Sequence, residues 1–91
     1  MISILRGTVA SVGLDHIDIL VGGIGFRVHV TPAFAQGASR DAEMTVFTSM
    51  IVREDSTTLY GFESADERDV FTKLLSVSGI GPKIALAALA V

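Results

Sequence analysis

Apolar residues change their spacing once in this chain, at Ser64, and that change constrains the fold more than any other feature. Before it they alternate with polar residues; after it they recur every third or fourth position. A period of two turns one face of a strand toward a core, and a period near 3.6 does the same for a helix. "IGFRVHVT" shows the first pattern, with Ile24, Phe26, Val28 and Val30 on one face and Arg27, His29 and Thr31 on the other. "HIDILV" places Ile17, Ile19 and Val21 together, and Gly22-Gly23 between the two runs is a hairpin signal. "ISILRGTVASVG" predicts a longer strand in which Gly7 marks a bend or bulge. "MTVFTSMIV" is apolar on both faces, which predicts a central strand. "TTLYGF" completes the set, with Thr58, Tyr60 and Phe62 on one side. Pro32 to Arg40 reads as a loop with one helical turn. Short strands joined by tight turns over residues 1–63 predict an OB-like small β-barrel.

Residues 64–91 form the second unit, so the chain reads as mainly β with a helical C-terminal part. "SADE" is a capping box, in which the Ser64 hydroxyl accepts from the Glu67 amide and the Glu67 side chain reaches back. Asp66 and Glu67 suit the positive end of a helix dipole. Val70, Phe71, Leu74, Leu75 and Val77 follow at helical spacing, which predicts a helix ending at Ser78-Gly79. Pro82 opens a second helix, since its missing N–H is not needed there, and "KIALAALAV" continues it to Val91.

The joint between these helices carries the chemistry. Leu75, Val77, Gly79, Ile80, Gly81, Ala85 and Leu89 match the helix-hairpin-helix pattern. Gly79 and Gly81 are free to adopt positive φ and let the backbone approach a ligand. Ile80 fills the space between the helices, and Ala85 lets them pack closely. The amides after Gly79 sit at a helix N-terminus, where backbone N–H groups collect an anion, and Lys83 adds a charge beside them. The matching ligand is a nucleic-acid phosphate, read without regard to base sequence. "IALAALAV" is apolar nearly all round, so it calls for cover, and little chain remains to supply it. The expectation is therefore an N-terminal piece of a longer protein, or a partner over that helix.

Composition narrows the alternatives. With 91 residues, 49% of them hydrophobic, the chain supports one small packed domain or a domain with part of another. There is no cysteine, hence no disulfide framework and no thiolate metal site. The start lacks a basic segment followed by a long apolar run, so no signal peptide is expected. The weakly charged stretch from Leu74 to Val91 is broken by two glycines, Pro82 and Lys83, which argues against a membrane span. A net charge of −3 argues against bulk electrostatic binding of nucleic acid, so any such role rests on local geometry. No P-loop is present, and Asp15, His16, Asp18 and His29 supply no clear third ligand or acid–base pair. No cofactor or metal and no catalytic residue is expected. Another helix-hairpin-helix repair protein is the competing reading.

Arg53-Glu54-Asp55-Ser56, between two strands, reads by itself as a polar hairpin tip. Together with "LRG" near the start and "LLSVSGIGPKIALAAL" near the end, "VREDSTTLYGF" resembles the RuvA family, over Met1 to Val91. The family binds Holliday junctions and loads the RuvB motor for branch migration. The resemblance implies a non-catalytic, cytoplasmic homotetramer on four-way junction DNA, working with RuvB, which hydrolyses ATP, and with RuvC. It implies that Glu54 and Asp55 are an acidic pin where the junction arms cross, with Arg53 beside them as a further DNA contact. Gly79, Ile80, Gly81 and Lys83 match the first phosphate-binding hairpin. It also implies that a second hairpin, a linker and a RuvB-binding domain would lie beyond Val91.

Overall fold

The computed structural model describes residues 1–90. Five strands, β1 (Ile4–Val12), β2 (His16–Val21), β3 (Ile24–His29), β4 (Glu43–Val52) and β5 (Thr57–Phe62), close into a barrel in the order β1-β2-β3-β5-β4. Consecutive strands β1–β2, β2–β3 and β4–β5 pair antiparallel, as do β1 and β4. The closing pair, β3 with β5, is parallel. This is the OB-like barrel that the alternating pattern predicts. Closure gives every strand a neighbour on both sides, although β3 and β5 meet over only two residue pairs, Val28–Leu59 and His29–Tyr60. The β2–β3 turn is built by Gly22 and Gly23 at φ 56° and 84°, a left-handed pair that side chains resist.

Leu5, Ile17, Ile19, Val28, Val30, Val46 and Leu59 fill the interior, joined by Phe34 and Ala35 of α1 (Pro32–Gly37). Thr31 caps that helix by accepting from the Phe34 amide at 3.2 Å. Ile24, on the predicted buried face, lies at the hairpin end and is 61% exposed, because the barrel wall has ended there. Gly61 is interior for want of room: a Cβ would stand 2.5 Å from Val28 Cγ1 and 2.7 Å from Val46 Cγ1.

The expected irregularity in β1 is displaced. The register shift falls between Val9 and Ser11, not at Gly7. Gly7 instead sits where β1 passes so close to β2 that a side-chain carbon would overlap the Leu20 carbonyl. Close backbone approach, not bending, explains this glycine.

The second unit is α2 (Ala65–Leu75) and α3 (Pro82–Leu89). Ser64 caps α2 by accepting from the Glu67 amide at 3.2 Å; among the described residues only this forward half of the box forms. β4 is apolar on both faces because one lines the barrel and the other meets the helices. Arg68 of α2 donates to the Ser3 carbonyl at 2.9 Å, with its guanidinium carbon 5.8 Å from the Phe47 ring centre. Tyr60 and Phe62, on the outer face of β5, pack with Phe71 of α2 and Ala85 of α3 in a second core, edged by Ile51, Leu74, Leu75, Ile80, Leu86 and Leu89.

The apolar α3 is thus partly covered within the chain, contrary to expectation. Ala85 is fully buried and Ile84 is 59% exposed, so one face is packed and the other open. Val91, the last residue of the expected helix, lies outside the described residues.

Across β2 and β3, Asp18 and Arg27 stand opposite each other. Arg27 donates to both Asp18 oxygens, at 2.9 and 3.1 Å, and the Ser11 hydroxyl donates to one of them at 2.6 Å. These bonds, Arg27 first, hold the Asp18 carboxyl at about 2 against an ordinary 3.8. A carboxylate whose pKa is lower folded than unfolded contributes stability above pH 4 and loses it as pH falls from there toward 2. After allowance for solvent screening, Asp18→Asn should cost about 1–2 kcal/mol at pH 7 and little at pH 2. Urea midpoints of the two proteins measured from pH 7 to 2 should converge; a constant gap would show that the pair does not act through ionisation.

Candidate nucleic-acid interface

The hairpin between α2 and α3 is set by local backbone chemistry. α2 ends at Leu75, earlier than its apolar spacing predicts, because Ser76 diverts the backbone. Its hydroxyl donates to the Lys73 carbonyl at 2.6 Å, and the Ser76 and Val77 amides bond back three residues rather than four. Val77 to Ile80 is then a turn, closed by the Ile80 amide on the Val77 carbonyl at 3.1 Å, with Gly79 third at φ 86°. Positive φ at that position alone is the mark of a type II turn.

Gly81 departs from the expectation of positive φ. It is extended, at φ −91° and ψ 175°, because a residue before proline is pushed to that region. Its importance is what it lacks. As the N-cap of α3 it carries no side chain to bond the helix amides, whereas Thr31 and Ser64 cap the other two helices. The Lys83 and Ile84 amides are left without a partner among the described residues, at the positive end of the helix dipole. Apart from its chain neighbours, no atom of the described residues lies within 4 Å of where a Gly81 side chain would stand, so this end is open to a ligand. Ile80 packs inward against the second core and holds the turn in place.

Arg53, Glu54, Asp55 and Ser56 link β4 to β5 and are all exposed. The Arg53 amide bonds the Ser56 carbonyl at 2.8 Å, leaving Glu54 and Asp55 at the tip. Neither acid makes an ion pair among the described residues. A cleft of about 400 Å³ runs from the base of this tip to the start of α3, with Arg53, Ser56 and Thr58 on one wall and Gly81, Pro82 and Lys83 on the other. Arg6, Arg27 and Arg68 are engaged with Glu43, Asp18 and Asp69. Among the described residues Arg40, Arg53, Lys73 and Lys83 make no ion pair, and two of those four meet in this cleft.

Lys83 and Tyr60 also line a neighbouring cleft of about 570 Å³, with His29 and Leu86. Alternation put Tyr60 on one side of β5 with Thr58 and Phe62 but did not place it beside Lys83. The signal was its apolar strand neighbours, which conceal a hydroxyl. The imagined Asp15, His16, Asp18 and His29 site does not assemble. Asp18 is taken by Arg27 and Ser11, His16 pairs with Asp15 at 3.4 Å, and no metal-holding group of three or more such residues occurs among the described residues.

No helix here is long and apolar enough to cross a membrane, among the described residues. Relatives named Holliday junction branch migration complex subunit RuvA match the whole chain. They include proteins from Beutenbergia cavernae and Mycobacterium tuberculosis, each 53% identical, and from an Arthrobacter species, 58% identical. The chain spans 46%, 46% and 42% of these three, less than half of each. The family described as the RuvA N terminal domain matches residues 1–61, the barrel up to its last strand. On that match the chain belongs to the RuvA N-terminal domain family.

Proposed function

We propose that this chain is the part of a RuvA-type protein that grips and shapes a four-way DNA junction without catalysing a reaction. The observation that carries the reading is the shared cleft, which joins two cations unpaired among the described residues to an uncapped helix N-terminus at the foot of an acidic hairpin tip. Backbone amides of α3 and Lys83 hold a phosphate, with Gly79 and Gly81 giving the close approach and Arg53 adding a second charge. Glu54 and Asp55 repel phosphates. In a fourfold assembly eight such carboxylates surround the centre, where a continuous duplex would lie but a junction has its opening. Preference then comes from shape and charge pattern, with no base contact required. Residues 1–63 form the scaffold of the pin and residues 64–91 the first phosphate hairpin. RuvB, which supplies ATP hydrolysis, and RuvC are the partner proteins of the assembled complex, which works in the cytoplasm.

The test is a salt titration of binding to a four-way junction and to linear duplex. Lys83→Ala should reduce the slope of log K against log salt by about 0.9 for each chain engaged, with the fold intact. Replacing Glu54 and Asp55 with Gln and Asn should tighten duplex binding and narrow the preference for junctions. Unchanged slope overturns the phosphate site at the start of α3, and weaker duplex binding by the second variant refutes repulsion by the tip.

A further inference from the structure

Tyr60 is 8% exposed, its ring held between His29 and Phe71 with centre distances of 5.8 and 5.3 Å. Among the described residues no group hydrogen-bonds its hydroxyl. Among the described residues, every side-chain oxygen or nitrogen that is sealed from solvent does have a partner. The Tyr60 hydroxyl is therefore not sealed, and Tyr60 lines two open clefts. Those clefts have Thr58, Tyr60 and Lys83 in common, and one of them reaches Gly81 at the start of α3. A nine-tenths buried phenol with an unused donor thus opens beside an exposed lysine and unpartnered helix amides.

We propose that the Tyr60 hydroxyl donates a hydrogen bond to the nucleic-acid phosphate seated at the N-terminus of α3, which rests on the phosphate reading of that helix end. The division of labour follows from the chemistry. Lys83 is a flexible point charge that attracts phosphate from a distance. Tyr60 is a neutral donor, fixed by its ring packing before the ligand arrives, and so defines where the phosphate comes to rest. A neutral donor displaces no counterion, so its contribution is independent of salt, whereas that of Lys83 is not.

Tyr60→Phe keeps the ring and removes only the hydroxyl. Titrated with a four-way junction, this variant should bind about tenfold more weakly at every salt concentration, with the slope of the parent, as for one hydrogen bond to a charged acceptor. Lys83→Ala should instead lower the slope. Tyr60 is the single tyrosine and there is no tryptophan, so the intrinsic emission of the chain reports this residue alone. An abasic deoxyribose-phosphate oligomer, which has no bases to absorb, should quench that emission in the parent protein. Unchanged junction affinity of Tyr60→Phe, or unchanged emission with the oligomer, overturns the role of Tyr60 while a slope change in Lys83→Ala leaves the phosphate site standing. Equal slopes for Lys83→Ala and parent overturn the site and the role together.

Discussion

Phe71→Ala is expected to release α2 and α3 from a barrel that stays folded. Phe71 is fully buried, with ring centres 4.9 Å from Phe62 and 5.3 Å from Tyr60. It belongs to the outer core, and the barrel interior is a separate cluster that does not include it. Truncating a buried phenylalanine costs about 3–5 kcal/mol, a large share of what a domain this size has. That loss falls on two short helices, of 11 and 8 residues, which hold their shape mainly by packing. Amide hydrogen exchange should show α2 and α3 losing protection while β1 to β5 keep most of theirs. Junction binding should fall with them, because the α3 amides and Lys83 would no longer face Arg53. Protection of α2 and α3 equal to that of the parent would show that the ring does not anchor them.

Gly7→Ala should prevent the barrel from closing. A single added carbon would overlap the Leu20 carbonyl and lie 3.0 Å from Val21 Cγ2. The obstacle is backbone, which cannot rotate away as a side-chain tip can. Relief requires β1 to part from β2, breaking the Thr8–Leu20 and Val9–Ile19 pairs. The cost should be about 3 kcal/mol or more, seen as loss of cooperative thermal unfolding. Gly25→Ala is the matched control. It also stands across from Leu20, yet its added carbon would meet only Leu20 Cδ2, at 3.8 Å, and its melting curve should stay near that of the parent. A cooperative, parent-like Gly7→Ala protein would mean that β1 and β2 separate there at little cost.

The sequence by itself determined what neighbouring residues decide together. Alternation marked the strands, Gly22-Gly23 their tightest turn, and Ser64 with Pro82 the helix starts, each through steric or capping chemistry that acts within a few residues. The hairpin with Gly79 at positive φ was legible for the same reason. The acidic pair Glu54-Asp55 was legible only as a polar tip; the reading of it as a pin came from the resemblance of the whole segment to a family.

Tertiary structure alone decided the rest, because it depends on residues far apart in the chain. The meaning of Gly7 lies in Leu20, which alternation cannot show. The parallel pairing of β3 with β5 closes the barrel across an intervening helix and strand, and no local pattern records it. Ser76 ended α2 before its apolar spacing did, since a hydroxyl taking the Lys73 carbonyl competes with the next turn of helix. Most consequentially, packing Phe71 and Ala85 against Tyr60 and Phe62 swings α3 onto the foot of the acidic tip. Only that contact puts Arg53, Tyr60 and Lys83 around the same space.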